Sequence, residues 1–347
     1  MCCKSVIAAT VGFAVAVGAY DDCKSYYASQ SFVSDVSAPK QWCNEGSYFA
    51  WRSPSNGGRE VNVFYRCAGD SGKPAIVLGH GWPTSSYDFQ DLSALLEPHL
   101  YVCAVDYVGH GFSDKPANLS DAPYQYRIMD HAQLIHDLAV RLKLERFSYL
   151  THDEGSSVGF ALLQLLEGAA AAGAAAPFEL THHFILDGSI YRPAANITAS
   201  QERLLSNETG PAAQERLTPS ELALGLGAAV YTPRRTLADD GAMASVFAYR
   251  NGTHVLHETI QYLVDRHEHE VEWLEVLRRS TVNASLIWGM RDPVAVPAVA
   301  DYVWENYLKN RPNGAPSTYT QLPDANHYLQ VDHAADVAGL VLGALGY

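Results

Sequence analysis

Short apolar runs recur along the chain, most followed by a stretch with helical spacing. Runs at 61–65, 75–79, 101–106, 147–152, 181–187, 284–288 and 317–321 read as buried strands. Between and after them, 87–96, 128–144, 155–166, 299–308 and 334–345 carry apolar residues at helical intervals. Strands that alternate with helices predict an α/β domain: a mostly parallel sheet covered on both faces. The alternation breaks at 189–280, which is helical in pattern with Pro and Gly interruptions. That insertion follows the run at 181–187, so it would sit as a helical cap over the strand C-terminal ends, where such sheets bind ligands. The predicted layout is therefore a first core part at 61–188, a helical cap at 189–280 and a second core part at 281–347.

The N-terminus follows another pattern. Lys4 precedes an apolar run from Val6 to Ala19, and Val17, Gly18 and Ala19 offer a small-residue cleavage site. The run is short for a membrane span, and 1–19 reads as a signal peptide, with a retained anchor as the alternative. Residues 20–60 read as an irregular extension rich in Ser, Tyr and Gly. Sequons at Asn118, Asn196, Asn207, Asn251 and Asn283 fit a secretory route, as glycosylation candidates. Beyond the signal peptide lie Cys23, Cys43, Cys67 and Cys103. A Cys23–Cys43 bridge would close the extension. Cys67 and Cys103 fall on strands expected to be antiparallel neighbours, so either a second bridge or a buried Cys103 thiol fits. The expected localisation is secreted or the secretory-pathway lumen.

Composition narrows the partners. The chain has 347 residues, 48% hydrophobic, with a formal net charge of -14. That acidity argues against nucleic acid and against an anionic membrane surface, and leaves a small-molecule substrate. No cofactor is implied. His267 and His269 stand two apart, which does not place both on one helix face, so no metal site is expected.

The chemistry gathers at strand ends. Thr151-His152-Asp153-Glu154-Gly155 follows the 147–152 strand and opens a helix, with a carboxylate at the tip. This is the layout of a nucleophile elbow with Asp in place of Ser. Gly155-Ser156-Ser157-Val158-Gly159 matches G-x-S-x-G literally, but Ser157 would lie a turn inside the helix, away from the tip. His80-Gly81-Trp82-Pro83 follows an earlier strand, and the N–H groups of Trp82 and Glu154 would form an oxyanion hole. Asp292 follows a later strand and His327 follows the last. The order nucleophile, acid, histidine predicts a triad of Asp153, Asp292 and His327.

Taken with His80 to Asp88, Asp106 to Pro116, His152 to Gly155, Ile260 to Leu263, Asp292-Pro293 and His327-Tyr328, these motifs identify a resemblance. Residues 60–345 resemble the α/β-hydrolase superfamily, in its epoxide hydrolase and haloalkane dehalogenase branch, and especially the mesoderm-specific transcript family. The resemblance implies an α/β-hydrolase fold with an eight-stranded sheet, helices on both faces and a helical cap. It implies the same triad. Dehalogenases of this branch carry Trp after the nucleophile; here Glu154 stands there, and an ionised carboxylate would repel a halide. Epoxide hydrolases use cap tyrosines as proton donors, and Tyr231 and Tyr262 are the candidates chosen from Tyr191, Tyr231, Tyr249 and Tyr262. His80 is a further candidate for substrate binding.

The expected activity is epoxide hydrolase-like. An Asp153 ester forms on saturated carbon and is released by water that His327 activates. The alternatives are a haloalkane dehalogenase-like hydrolase and a catalytically inactive secreted binding module. The last is favoured by Glu154, since two adjacent carboxylates raise one pKa and weaken the nucleophile.

Overall fold

The computed structural model describes residues 22–116, 123–233 and 235–347. The expected signal peptide and the sequon at Asn118 lie outside them. Eight strands form one sheet: β1 (Ser47–Ser53), β2 (Arg59–Ala68), β3 (Ala75–Gly79), β4 (Tyr101–Val105), β5 (Arg146–His152), β6 (Glu179–Leu186), β7 (Asn283–Gly289) and β8 (Ser317–Leu322). Their spatial order is β1-β2-β4-β3-β5-β6-β7-β8. The pairs β1–β2 and β2–β4 are antiparallel, and every later pair is parallel.

The period-two alternation of a strand explains how short apolar runs cover two faces. Along β3, Ala75 and Val77 point into one core while Ile76 and Leu78 point into the other. Along β4, Cys103 and Val105 join the first core, and Val102 and Ala104 the second. The first core is closed by helices Ile128–Arg141, Glu154–Ala171 and Tyr262–Arg279, the second by helices Gln90–Leu96 and Ala334–Leu345.

Over the described residues 22–60 the extension is not irregular. Helices Cys23–Ser29 and Ser37–Glu45 lead into β1, which pairs along its length with β2. In β1, Phe49, Trp51 and Ser53 turn inward while Ala50 and Arg52 face solvent. This alternation was present in the sequence, but the polar, Gly-bearing surroundings hid it. Cys23 and Cys43 are bridged, which staples the two helices together. Cys67 and Cys103 stand directly opposite each other on β2 and β4 and are also bridged, so Cys103 is not a free thiol.

Between β6 and β7 run helices Ala199–Leu205, Gly210–Arg216, Pro219–Ala229, Leu237–Ala248, Leu256–Thr259 and Tyr262–Arg279. Three of them start at capping boxes, Thr198 with Gln201, Thr218 with Glu221 and Thr236 with Asp239. In each, the Thr hydroxyl and the N3 side chain satisfy N–H groups that a helix start would leave unpaired. The helix Leu237–Ala248 is held by the N-terminal arm, where Tyr26 donates to the Ser245 carbonyl and the Tyr27 and Ser245 hydroxyls bond, both at 2.9 Å.

Candidate active site

Asp153 sits between β5 and the helix Glu154–Ala171 with φ 46° and ψ -110°. A non-glycine residue there is strained, and the neighbours that allow it are glycines. A Cβ on Gly155 would lie 2.5 Å from the Gly79 carbonyl oxygen, and one on Gly81 would lie 2.8 Å from the Asp153 Cβ. The turn therefore packs backbone to backbone against the loop after β3. Asp153 N–H donates to the Leu186 carbonyl at 3.1 Å, which ties the tip to the end of β6.

The Asp153 carboxylate is 3% exposed and has a donor on each oxygen. Trp82 N–H donates to Oδ2 at 3.2 Å, and Arg266 donates to Oδ1 at 3.2 Å. The Tyr262 hydroxyl lies 3.4 Å from Oδ2. The Glu154 N–H is the first of its helix and has no intrahelical acceptor. Burial alone would raise the Asp153 pKa, but Arg266, then His327 and His152, outweigh it and hold the carboxyl below its ordinary value.

His327 Nδ1 is 2.7 Å from Asp292 Oδ2, while Asp292 Oδ1 accepts the N–H groups of Val294 and Ala295. Burial disfavours a charged His327 ring. Asp292, through its charge and hydrogen bond, overcomes that and raises the pKa, with Asp153 adding to it. The three residues placed in one site from their order along the chain are thus brought together, electrostatically coupled and buried.

The other expected site residues divide. Tyr262 reaches the nucleophile. Tyr231 does not, because its ring stacks on Tyr328 at 4.5 Å in a separate apolar cluster. His80 does not face the cavity either. Its Nε2 accepts the Tyr107 N–H and its Nδ1 donates to the Gly81 carbonyl. Burial pushes its pKa down to about 3, so it is a neutral brace for the loop that carries Trp82. The Glu154 side chain turns into a buried cluster, with its oxygens 3.3 Å from His131 Nδ1 and 3.7 Å from His110 Nε2. Its pKa is raised, first by burial and in smaller part by Asp153, with His131 opposing, whereas that of Asp153 is lowered.

Two residues escaped the sequence reading. Arg266 stands next to the charged segment 267–270, where a helix residue is ordinarily solvated, yet it is 4% exposed. Its Nε donates to Ser157 Oγ at 2.8 Å and its Nη1 to the Ser189 carbonyl at 3.2 Å. Ser157, the centre of the literal G-x-S-x-G match, is thus an anchor for this arginine. The signal lay in spacing: Tyr262, Arg266, Trp273 and Leu277 share one face of helix Tyr262–Arg279, so the charge stands on an apolar stripe. Asp187 follows β6 and, with Asp292 and His327, offers oxygen and nitrogen atoms within 4.8 Å of one another. Asp292 and His327 already bond each other, and burial followed by the Asp292 charge raises the Asp187 pKa well above its ordinary value.

A cavity of about 230 Å³ opens beside Asp153. Tyr262, Arg266 and Ser189 line its floor, Ile190, Ile197 and Val294 its wall, and Arg192 and His267 reach its mouth. Asn196, one of the sequon residues, is exposed at the same mouth. An apolar pocket with few convergent polar groups suits a small molecule.

Comparison with known proteins agrees with this architecture. Residues 74–177 match the alpha/beta hydrolase fold family. The chain is 29% identical over 303 residues to the LipZ protein of Mycobacterium tuberculosis, covering 85% of this chain and 96% of that one. It is 27% identical over 323 residues to the mesoderm-specific transcript protein of Mus musculus, covering 88% and 86%. The solved structure of haloalkane dehalogenase DbeA from Bradyrhizobium elkani USDA94 is similar with a TM-score of 0.67 at 20% identity, covering 86% and 97%, a likeness of fold alone.

Proposed function

We propose that this α/β hydrolase acts on a small electrophilic molecule through an Asp153 ester, with epoxides as the leading substrate class. The observation that carries the reading is the buried, ionised Asp153 carboxylate at a strained strand-to-helix turn, with an N–H donor on Oδ2 and the His327–Asp292 pair beside it. Oδ1, on the Arg266 side, attacks carbon; Oδ2 stays with the Trp82 N–H. His327 then takes a proton from water, and the hydroxide attacks the ester carbonyl carbon. The oxyanion forms on Oδ2, where the Trp82 and Glu154 N–H groups stabilise it. Epoxides are favoured because the leaving oxygen stays attached and needs a proton, which Tyr262 is placed to give. In the hydrolytic step the two protons of water return to Tyr262 and to the product hydroxyl, so the cycle closes on a diol.

A halide-releasing hydrolase is the second reading, and it gains from the position of Glu154, whose side chain turns toward His131 and His110 and is not among the residues lining the cavity. Against it, the Trp82 indole N–H is committed to Thr259 Oγ1 at 3.0 Å. An inactive binding module loses support because the Asp153 pKa is held below its ordinary value despite the neighbouring Glu154. The two bridges, together with exposed sequon residues Asn196 and Asn207, support a secretory route.

The test is repeated turnover of an epoxide panel in oxygen-18 water. Label should accumulate in Asp153, and Asp153→Asn should lose turnover by at least about 10⁴-fold. Sustained turnover by that variant, with reversion by deamidation excluded by mass spectrometry, would sink the reading.

A further inference from the structure

When Asp153 is esterified, its negative charge is lost from the site. Among the described residues, Asp153 is the only carboxylate within 4.0 Å of the Arg266 guanidinium. Glu154 and Asp187, the other acids nearby, are both shifted toward their neutral forms, burial being the first cause in each case. A buried guanidinium whose sole anionic partner disappears is costly, by several kcal/mol in general. The cost vanishes if the reaction generates a new anion at the same place.

We propose that Arg266 is a catalytic residue that holds the negative charge displaced from Asp153, as a Tyr262 phenolate formed by protonating the departing epoxide oxygen. This role rests on the ester reading given above. Its geometry is in place. Arg266 touches Oδ1, lines the cavity the electrophilic carbon must enter, and lies with its guanidinium carbon 4.7 Å from the Tyr262 ring centroid. Tyr262 and Arg266 are one turn apart on one helix, and that helix is pinned because Asp265 accepts the Ile128 N–H at 3.0 Å. Ser157 and the Ser189 carbonyl fix two edges of the guanidinium, so it cannot follow the leaving charge away.

The bonds balance. The Oδ1–carbon bond forms as the carbon–ring-oxygen bond breaks, its electron pair going to that oxygen. The Tyr262 O–H bond breaks and the proton moves to the same oxygen. A carboxylate has become an ester and a phenol a phenolate, with no change in net charge beside Arg266. The coupling runs the right way. Burial keeps the Tyr262 phenol from ionising, the Asp153 charge adds to that, and Arg266 opposes both. Esterification deletes the Asp153 contribution and leaves that of Arg266, so the tyrosine becomes a stronger acid as the bond to carbon forms. Arg266 thereby stands where a second tyrosine was expected, which explains how the site works with Tyr231 out of reach.

The experiment uses full-length protein carrying His327→Gln, in which the ester accumulates, with styrene oxide as probe and intact mass as readout. Adding Arg266→Gln should slow ester formation by about 10²-fold or more, the usual cost of removing one preorganised charge-stabilising donor. Arg266→Lys, which keeps the charge, should stay within about tenfold, and guanidinium chloride at low concentration should accelerate the Arg266→Ala form. Ester formation by folded Arg266→Gln at the parent rate would overturn the role, as would a slow Arg266→Ala that guanidinium leaves unchanged. Absence of any ester in the His327→Gln parent removes the ester reading itself, and this role with it. An ester in the parent with no dependence on position 266 removes this role alone.

Discussion

Among single residues, the consequence of the structure lies in where protons sit. Two adjacent carboxyls, Asp153 and Glu154, would compete for one charge, and burial and partners resolve the competition. Arg266 and His327 hold the Asp153 pKa down, while burial, with Asp153 adding to it, raises that of Glu154 against the opposing effect of His131. For His327 the sign follows from its raised pKa. The ring must be neutral to act as a base, so the rate of ester release should climb with pH through an inflection above the ordinary histidine value of about 6.5. Asp292→Asn removes the charge that lifts this pKa, so the inflection should move down. Release should also slow by about 10²-fold or more, because the ring loses its orienting acceptor. A stopped-flow pH profile of ester decay in wild type and variant reads both. These residues were legible because each follows a buried strand. Arg266 was not, because a charged residue on a helix is ordinarily solvated, and only the neighbouring elbow makes its burial favourable.

At the level of elements, the elbow works because a strand, a loop and a helix meet without side chains between them. The helix Glu154–Ala171 approaches β3 so closely that Gly155 meets carbonyl oxygens of Gly79 and His80. Gly155→Ala would push a methyl group into that backbone, which cannot give as a flexible side chain can. Stability should fall by about 3 kcal/mol, with Asp153 displaced from the Trp82 N–H. Chemical denaturation measures the first, and ester formation with styrene oxide the second. A loss below about 0.5 kcal/mol would contradict the close packing. The seven core strands read from apolar runs all formed with boundaries within two or three residues. The strand that was missed, β1, is an edge strand with one solvated face, where alternation is diluted by polar residues.

Across the whole molecule, the N-terminal arm links distant parts of the chain. It is stapled by Cys23–Cys43, contributes Tyr26 and Tyr27 to the second core, and bonds Ser245 in the helical segment between β6 and β7. A bridge spanning 20 residues stabilises by about 3 kcal/mol through loop-closure entropy. The double variant Cys23→Ser, Cys43→Ser should therefore lose about that much. It should also become protease-sensitive in the arm before the core unfolds, as limited proteolysis with a thermal melt would show. An unchanged melt and cleavage pattern would mean the arm needs no staple.

What the sequence determined by itself was whatever depends on local order. Strand and helix periodicity, capping boxes, the turn chemistry of the elbow and the sequential order of Asp153, Asp292 and His327 are all properties of neighbouring residues. What only the tertiary structure decided was which side chains share a low-dielectric space. It turned Glu154 and His80 away from the cavity, kept Tyr231 with Tyr328, bridged Cys67 to Cys103, and carried Arg266 more than a hundred residues along the chain to the Asp153 carboxylate. The physical reason is that burial and charge pairing act through distance in space. A charge 113 positions away along the chain stands 3.2 Å away in the fold, and at that range it governs the protonation of the nucleophile.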